Sequence, residues 1–373
     1  MDGQPTRDAV LRQQPPFLTK LKFAGSMYGL KSFLAPMHWL REWQESRNPP
    51  AGGPDLVKTY DCRPNLPIRV FLPPSNPPSH PLPTLFTIHG GGFCIGHQRD
   101  DDEWNRAFAT RHACLVISLN YSKAPTHPFP TALHDLEVLL LASLSDPALP
   151  IDRTTPGRVA ILGFSAGGNL ALGLAQLETV RGHALAPAAA VSVYGCLDLS
   201  VPPAEKAVRR PWRRGQLALP RGAETDALAG LAEAFDWAYL PVGLDLRDPV
   251  VSPFFADKGR LPPFVGVVGA ELDMLAHEGW GLARRLAGSG APREGEGLVR
   301  GDERYGFEVG WEDKGRSGGV KWLLVPDVVH GFDNQHIRAV MGRDEETEED
   351  AKRKTVEYVD EMARWLKEVV WRV

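Results

Sequence analysis

The chain has 373 residues, of which 43% are hydrophobic, so it can bury a large core in one big α/β domain or two smaller ones. Lys and Arg number 42 against 46 Asp and Glu, and the resulting formal charge of -4 provides no global basic field for binding nucleic acid. The four cysteines are widely scattered without the paired spacing of a zinc site, and we interpret them as free buried thiols.

The first 50 residues begin with a polar stretch and continue into an aromatic-rich, loosely amphipathic segment. The polar start lacks the apolar core of a secretory signal, and the chain nowhere has 18 consecutive apolar residues, so we expect a cytoplasmic protein. We interpret residues 1–50 as a lid segment over the edge of a domain formed by residues 51–373. A helix that contacts a membrane surface or a partner protein is the alternative.

Short apolar runs alternate with segments of helical spacing along residues 51–373. The runs that predict buried strands are residues 66–72, 84–90, 114–121, 158–164, 188–195, 264–271 and 320–328. The segments that predict helices are residues 104–112, 129–144, 167–182, 226–240, 275–290 and 348–372. Because the apolar runs are nearly continuous, they predict an α/β fold with a mostly parallel central sheet covered by helices on both faces.

Two stretches interrupt this alternation. Residues 200–247 combine an arginine cluster with a helical pattern, and we interpret them as a lid insertion. A solvated loop is our interpretation of the cluster, and recognition of an acidic substrate is the alternative. Its members are Arg209, Arg210, Arg213 and Arg214. Residues 288–319 are rich in glycine and charge without a sustained period, which predicts a flexible surface insertion before the last strand.

Residues 158–174 show the pattern of a strand, a sharp turn and a helix. At the turn, residues 163–167 have the sequence GFSAG and match the G-x-S-x-G pattern, whose flanking residues are small because the serine sits on a strained turn. Ser165 is therefore the candidate nucleophile. A serine hydroxyl is a weak nucleophile, so it needs a base, a group that orients the base, and hydrogen-bond donors for the oxyanion.

Three consecutive glycines follow the predicted strand that ends at residue 88, in the sequence HGGGF. The amides of Gly91 and Gly92 are unobstructed by side chains, so they can complete an oxyanion hole with the amide of Ala166 at the start of the next helix. His89 is interpreted as structural, since the base is expected later in the chain. Neither a phosphate-binding loop nor a dinucleotide-binding pattern is present.

An acid and a base follow the last two predicted strands, at the sheet edge where α/β proteins build their sites. Asp273 is the candidate orienting acid, with a helix cap as the alternative. His330 is the candidate base, because imidazole exchanges a proton near neutral pH, with an ordinary loop histidine as the alternative. The order Ser165, Asp273, His330 is the order of an α/β-hydrolase triad.

With these motifs in place, the chain resembles the hormone-sensitive lipase-like branch of the α/β-hydrolases from about residue 84 to 335, apart from the lid and the glycine-rich insertion. The matching motifs are HGGGF at 89–93, NYSKAPTHPFPTALHD at 120–135, GFSAGGNLA at 163–171, DPVVSP at 248–253, DMLAHEG at 273–279 and HGF at 330–332. The resemblance implies a serine carboxylesterase or lipase with a helical lid and no cofactor. The roles it implies are nucleophile Ser165, acid Asp273, base His330 and oxyanion donors Gly91, Gly92 and Ala166.

Four positions depart from the pattern of that family. Phe164 stands where the family usually has Asp, directly before the candidate nucleophile. Ser122, Lys123 and Thr126 replace the Arg, Leu and Glu of the usual RLAPE motif. These replacements remove charged contacts that the family places around the nucleophile.

The sequence therefore predicts a serine hydrolase that cleaves carboxylic esters of small to medium acyl groups through an acyl-enzyme, without a cofactor or metal. The expected partner is a small-molecule ester, whereas nucleic acid and membrane contact are not expected. Aromatic residues in the two lid segments suit an apolar substrate or simply pack. Transacylation, lactone opening or elimination on a specialised metabolite is the alternative, followed by a non-catalytic small-molecule receptor. Substrate-binding residues and the oligomeric state are not assigned by the sequence.

Overall fold

The computed structural model describes residues 9–74, 81–209, 228–288, 305–313, 316–340 and 345–373. The strands in this part of the chain are β1 Leu56–Tyr60, β2 Arg63–Phe71, β3 Thr84–Ile88, β4 Leu115–Leu119, β5 Val159–Phe164, β6 Ala189–Val193, β7 Phe264–Ala270, β8 Tyr305–Asp313 and β9 Arg316–Val325. They form one sheet in the order β1-β2-β4-β3-β5-β6-β7-β9-β8.

The centre of the sheet is parallel, from β4 through β3, β5, β6 and β7 to β9. At the two edges, β1, β2 and β8 run antiparallel to their neighbours. The strands β3 to β6 are buried along their whole length, as strands covered on both faces must be. The prediction of a mostly parallel α/β sheet is confirmed.

Helices connect and cover these strands. Those in the described residues are α1 Phe17–Arg47, α2 Asp102–His112, α3 Thr131–Ser145, α4 Ala166–Leu174, α5 Glu178–Arg181, α6 Pro203–Arg209, α7 Ala229–Tyr239, α8 Ala276–Ala287, α9 Gln335–Val340 and α10 Glu345–Trp365. A π-helical segment, Leu366–Trp371, continues α10.

Successive residues of β3 divide the core into two layers, because neighbouring side chains of a strand point to opposite faces. Leu85 packs in one hydrophobic cluster with Phe108 of α2 and Met362 of α10. Phe86 packs in another cluster with residues of α3 and α4, including Leu170. The sheet therefore lies between α2 and α10 on one face and α3 and α4 on the other.

The segment predicted as a flexible insertion, residues 288–319, contains a strand. Residues 289–304 lie outside the described part of the chain, but β8 and the start of β9 form an antiparallel pair in which Phe307 lies opposite Trp322 and Val309 opposite Val320. For these strands the prediction is wrong. Apolar residues recur at every second position of β8, which is the period of a half-buried strand, but the surrounding glycines and charges obscured it.

The two segments predicted as a lid contact the rest of the domain and each other. Helix α1 packs against α7, where Phe23 and Trp237 have ring centroids 6.4 Å apart. Helix α6 is held by a buried ion pair between Lys206 and Glu278 of α8, with an N–O distance of 2.6 Å. Residues 210–227 lie outside the described part of the chain, so three of the four clustered arginines are not placed. Among the described helices, none has the length and apolar character needed to cross a bilayer.

Candidate active site

Ser165 lies at a sharp turn between β5 and α4, with a positive φ of 53°. That conformation is strained for a residue with a side chain, and the surroundings hold it in place. The Ser165 amide donates to the Val193 carbonyl at 2.9 Å. A Cβ on Gly163 would lie 1.9 Å from the Gly167 carbonyl oxygen, and one on Gly167 would lie 2.1 Å from the Ile88 carbonyl oxygen. The turn therefore requires glycine at both flanking positions.

The structure brings the three predicted residues of the triad together. His330 Nδ1 lies 2.7 Å from Asp273 Oδ2, and His330 Nε2 lies 2.8 Å from Ser165 Oγ. A carboxylate only accepts hydrogen bonds, so Nδ1 carries the proton and Nε2 is left to accept from the serine hydroxyl. Asp273 is fully buried, and its second oxygen accepts from the Leu275 amide at 2.9 Å. Both carboxylate oxygens are thus held in place.

The glycine loop after β3 lies beside the nucleophile. A Cβ on Gly90 would lie 3.2 Å from Ser165 Cβ, and the next two glycines have φ angles of 111° and 56°, which favour glycine. Within the described residues, the backbone amides of Gly91, Gly92 and Ala166 donate no hydrogen bond to another residue. Three amide donors near the serine are therefore available to a ligand.

The side chain of His89 contacts this loop and its neighbouring residues. Its Nδ1 lies 2.8 Å from the Gly90 carbonyl oxygen and its Nε2 lies 3.2 Å from Asn120 Oδ1. The ring stacks on Tyr121, with centroids 4.4 Å apart and planes inclined by 7°. Burial lowers the pKa of His89 well below its ordinary value, so the ring is neutral. These contacts agree with a structural role rather than that of the base.

Helix α7, in the segment predicted as a lid insertion, packs directly on the glycine loop. A Cβ on Gly92 would lie 2.3 Å from the Phe235 ring, and Phe93 stacks on Tyr239 with centroids 3.7 Å apart and planes inclined by 1°. Phe235 and Tyr239 were not among the residues predicted for the site. Their spacing of four residues places them on one face of α7, and that spacing is the sequence pattern that could have identified them.

The aromatic residues of the lid take different positions. Trp39 and Trp43 of α1 are exposed, so they do not line a covered pocket. Trp237 is partly buried against α1, and Trp212 lies outside the described residues. Of the three of these tryptophans that the structure describes, Trp237 is thus the one packed between the two segments predicted as a lid.

The departures from the family pattern have local partners. The Ser122 amide donates to Asp135 Oδ2 at 2.9 Å, whereas Thr126 is exposed. Lys123 Nζ lies 3.8 Å from the centroid of the Tyr121 ring and donates to Asn120 Oδ1 at 2.9 Å. Burial, followed by the nearby charge of Lys31, lowers the pKa of Lys123 to about 7.

Phe164, the fourth departure, joins an aromatic cluster behind the serine. Its ring meets that of Trp104 edge to face, with centroids 5.1 Å apart, and lies 6.3 Å from that of Tyr194. The position that the family usually fills with a carboxylate is thus apolar and buried here. Elsewhere in the described chain, no group of three or more His, Cys, Asp or Glu residues is arranged to hold a metal ion.

Known proteins are similar to this chain in sequence and in fold. A family model described as alpha/beta hydrolase fold matches residues 85–298. The carboxylesterase NlhH of Mycobacterium tuberculosis is 31% identical over 63% of this chain and 69% of its own length. The ethyl acetate hydrolase of Pseudomonas putida is 30% identical over 68% of this chain and 80% of its own length. The solved esterase of Pyrobaculum calidifontis superposes with a TM-score of 0.63 at 23% identity, covering 95% of this chain and 98% of that one, and so has the same fold.

Proposed function

The chain belongs to the α/β-hydrolase family and is a carboxylic ester hydrolase, and from this premise we propose that Ser165, His330 and Asp273 form its catalytic triad. One observation carries the assignment of these residues. The serine hydroxyl, the imidazole and the buried carboxylate lie in one continuous relay, with heavy-atom distances of 2.8 and 2.7 Å. Nucleophilic catalysis by serine needs this arrangement.

In the proposed reaction, Ser165 Oγ attacks the carbonyl carbon of the ester while His330 Nε2 takes the hydroxyl proton. Asp273 orients the imidazole and stabilises its protonated form. The protonated imidazole then gives its proton to the departing alcohol, which leaves an acyl group on Ser165. Water attacks the acyl-enzyme with His330 again as base, and release of the acid restores the serine.

The negative charge that develops on the carbonyl oxygen needs donors that are already in place. We assign this role to the amides of Gly91, Gly92 and Ala166. Within the described chain these amides donate to no other group, and Ala166 begins α4, whose N-terminus favours negative charge. Phe235 packs against Gly92, so the lid insertion helps to hold this loop in shape.

The proposed substrate is an ester with a small to medium acyl group. Two features support it: Phe235 and Tyr239 crowd the glycine loop from above, and one relative is named as a hydrolase of ethyl acetate. We propose that residues 1–50 and 200–247 together act as the lid over this site. The continuous relay favours hydrolysis over a non-catalytic receptor, in which the triad has no purpose. The predicted cytoplasmic location and the absence of nucleic acid or membrane partners stay predictions.

The test is hydrolysis of a series of p-nitrophenyl esters of increasing acyl length by the wild type, Ser165→Ala and Ser46→Ala. We expect Ser165→Ala to lower kcat by about 10⁴-fold or more with an unchanged circular dichroism spectrum. Ser46→Ala is the control, because its hydroxyl bonds only to the Trp43 carbonyl on exposed α1. Labelling of the wild type by an organophosphate at Ser165 supports the assignment, and full turnover by Ser165→Ala overturns it.

A further inference from the structure

A buried carboxylate, Asp333, lies three residues after His330 in the same loop. Each of its side-chain oxygens accepts a hydrogen bond from a tyrosine hydroxyl: Oδ1 from Tyr194 at the end of β6, and Oδ2 from Tyr358 of α10. The three residues are far apart in sequence. The carboxylate therefore joins the histidine loop to the sheet and to the last helix at a single point.

The contact through Tyr194 leads directly to the imidazole. The Tyr194 ring meets the His330 ring edge to face, with centroids 4.9 Å apart. The backbone at Tyr194 has a φ of 40°, which is strained for a tyrosine and persists only where surrounding contacts hold it. Its amide donates to the Val268 carbonyl at 2.7 Å, and the hydroxyl bond to Asp333 fixes the other end of the side chain.

The contact through Tyr358 leads back to the nucleophile turn. Tyr358 accepts a hydrogen bond from Trp104 Nε1 at 2.8 Å, and the Trp104 ring meets that of Phe164 edge to face. Phe164 directly precedes Ser165. Six side-chain contacts thus run from the serine to the residue before it, and the peptide bond between Phe164 and Ser165 closes the circuit; its members in order are Ser165, His330, Tyr194, Asp333, Tyr358, Trp104 and Phe164.

We propose that Asp333 and Tyr194 are positioning residues for this reaction, with the Asp333 carboxylate holding the Tyr194 ring against the imidazole so that His330 Nε2 stays aligned with Ser165. This proposal rests on the proposed function, because it assigns to His330 the role of base. It also gives a structural counterpart to Phe164, which stands where the family usually has an acid. Aromatic packing around Phe164 and the carboxylate of Asp333 stand in place of the charged contacts that the family has around the nucleophile.

The protonation states of the network agree with this role. Burial raises the pKa of Tyr194 and of Tyr358 well above the ordinary value, so both hydroxyls keep their protons and donate. Burial also raises the pKa of Asp333, whereas the two tyrosine bonds favour its charged form. Two further titratable groups face it. Asp101, whose own pKa burial raises well above the ordinary value, disfavours ionisation of Asp333 when charged, whereas Arg338 donates to the Asp333 carbonyl at 2.9 Å and favours ionisation.

The test compares three variants: Tyr194→Phe, Asp333→Asn and the double variant that carries both changes. Tyr358→Phe alone is the matched control. Tyr194→Phe keeps the ring and removes only the hydroxyl, so it folds even where Asp333→Asn does not. We expect Tyr194→Phe and Asp333→Asn each to lower kcat by about 10- to 100-fold, with KM changed by less than about 3-fold, since a misaligned base slows chemistry without weakening binding. Tyr358→Phe touches the same carboxylate but not the imidazole, and we expect it to keep kcat within about 3-fold.

Two further readouts distinguish positioning from simple stabilisation. The rate at which diethyl p-nitrophenyl phosphate labels Ser165 reports the serine and histidine pair directly, and it should fall in parallel with kcat. The double variant should be no slower than Asp333→Asn, because each single change already breaks the same hydrogen bond between Tyr194 and Asp333. Each value of kcat is calculated per mole of Ser165 that the organophosphate labels, so loss of folded protein does not lower it.

The proposal is overturned if Tyr194→Phe keeps kcat and the labelling rate within about 3-fold while the melting temperature falls. It is equally overturned if Tyr358→Phe slows the reaction as much as Tyr194→Phe does. Failure of the proposed function has a different signature. In that case Ser165→Ala retains turnover and the organophosphate labels another residue, whatever the Asp333 variants do.

Discussion

Two helices of this molecule, α4 after the proposed nucleophile and α1 in the proposed lid, contrast in how they are held. All nine residues of α4 are buried, whereas α1 has 31 residues and only Met27 is buried. Around Gly167 of α4 the backbone of β3 leaves no space for a methyl group, whereas nothing lies within 4 Å of the corresponding position at Gly29 of α1. The proposed nucleophile thus lies where the backbone itself is close-packed, whereas α1 buries one side chain and makes mainly polar contacts.

The contacts of α1 are spread along the helix, and near its end Glu45 pairs with Arg69 and Arg99. Met27 is buried against the main core, Lys31 Nζ donates to the Ala124 carbonyl at 2.7 Å, and Arg41 Nη1 donates to Asp100 Oδ1 at 2.9 Å. Large apolar side chains between them are exposed, including Phe33 and Trp39. An element with few buried contacts opens locally at low cost in free energy, which suits a lid.

The largest expected effect in this comparison follows from Gly167→Ala. The new Cβ would lie 2.1 Å from the Ile88 carbonyl oxygen, which is backbone in a central strand and cannot move aside. We expect the free energy of unfolding to fall by roughly 3 to 5 kcal/mol, with loss of esterase activity. Urea unfolding followed by circular dichroism measures the change. A loss below about 1 kcal/mol would show that the turn is less tightly packed than the structure indicates.

An intermediate effect is expected at Lys123, which precedes the residue whose carbonyl accepts a hydrogen bond from Lys31 of α1. Its pKa of about 7 in the folded protein lies below the ordinary value of 10.5. Between these pH values the unfolded chain binds a proton that the folded chain does not, so this group makes the free energy of unfolding rise with pH. Lys123→Met removes the group. We therefore expect the stability of Lys123→Met relative to wild type to fall as the pH rises from about 7 to about 10.

Paired urea titrations of the two proteins across that range measure this difference. Groups that do not sense the Lys123 charge cancel in the comparison, and the histidines that do sense it have lowered pKa values, so they titrate below this range. A stability difference that stays constant from pH 7 to 10 would contradict the lowered pKa of Lys123.

The smallest effect is expected from Gly29→Ala, the matched counterpart of Gly167→Ala. Position 29 is exposed, helical and unobstructed, so alanine gains helix propensity without a collision. We expect the free energy of unfolding to rise by about 0.5–1 kcal/mol if α1 unfolds together with the domain, with kcat unchanged. The same urea experiment provides the value. A decrease in stability would mean that this face of α1 is covered in solution.

Local sequence patterns identified the central strands and the three residues of the relay. The turn at Ser165 and the glycines beside it are constrained by backbone geometry over a few residues, so the pattern GFSAG is informative by itself. Asp273 and His330 were identified because each follows a buried strand of a parallel sheet, and such strands end at the same edge. Strand β8 was missed because its alternating period is short and lies among glycines and charges.

Only the tertiary structure decided what surrounds the relay. Phe235 packs against Gly92 across a separation of more than 100 residues, and Asp333 accepts hydrogen bonds from Tyr194, which follows β6, and from Tyr358 of α10. Neither contact produces a periodic pattern in the local sequence, because its partners meet only after the helices have docked on the sheet. The sequence by itself determined the element order, the turn and the candidate relay, since these depend on burial period and backbone sterics. The support behind His330 and the packing of the lid depend on long-range packing, which no single segment encodes.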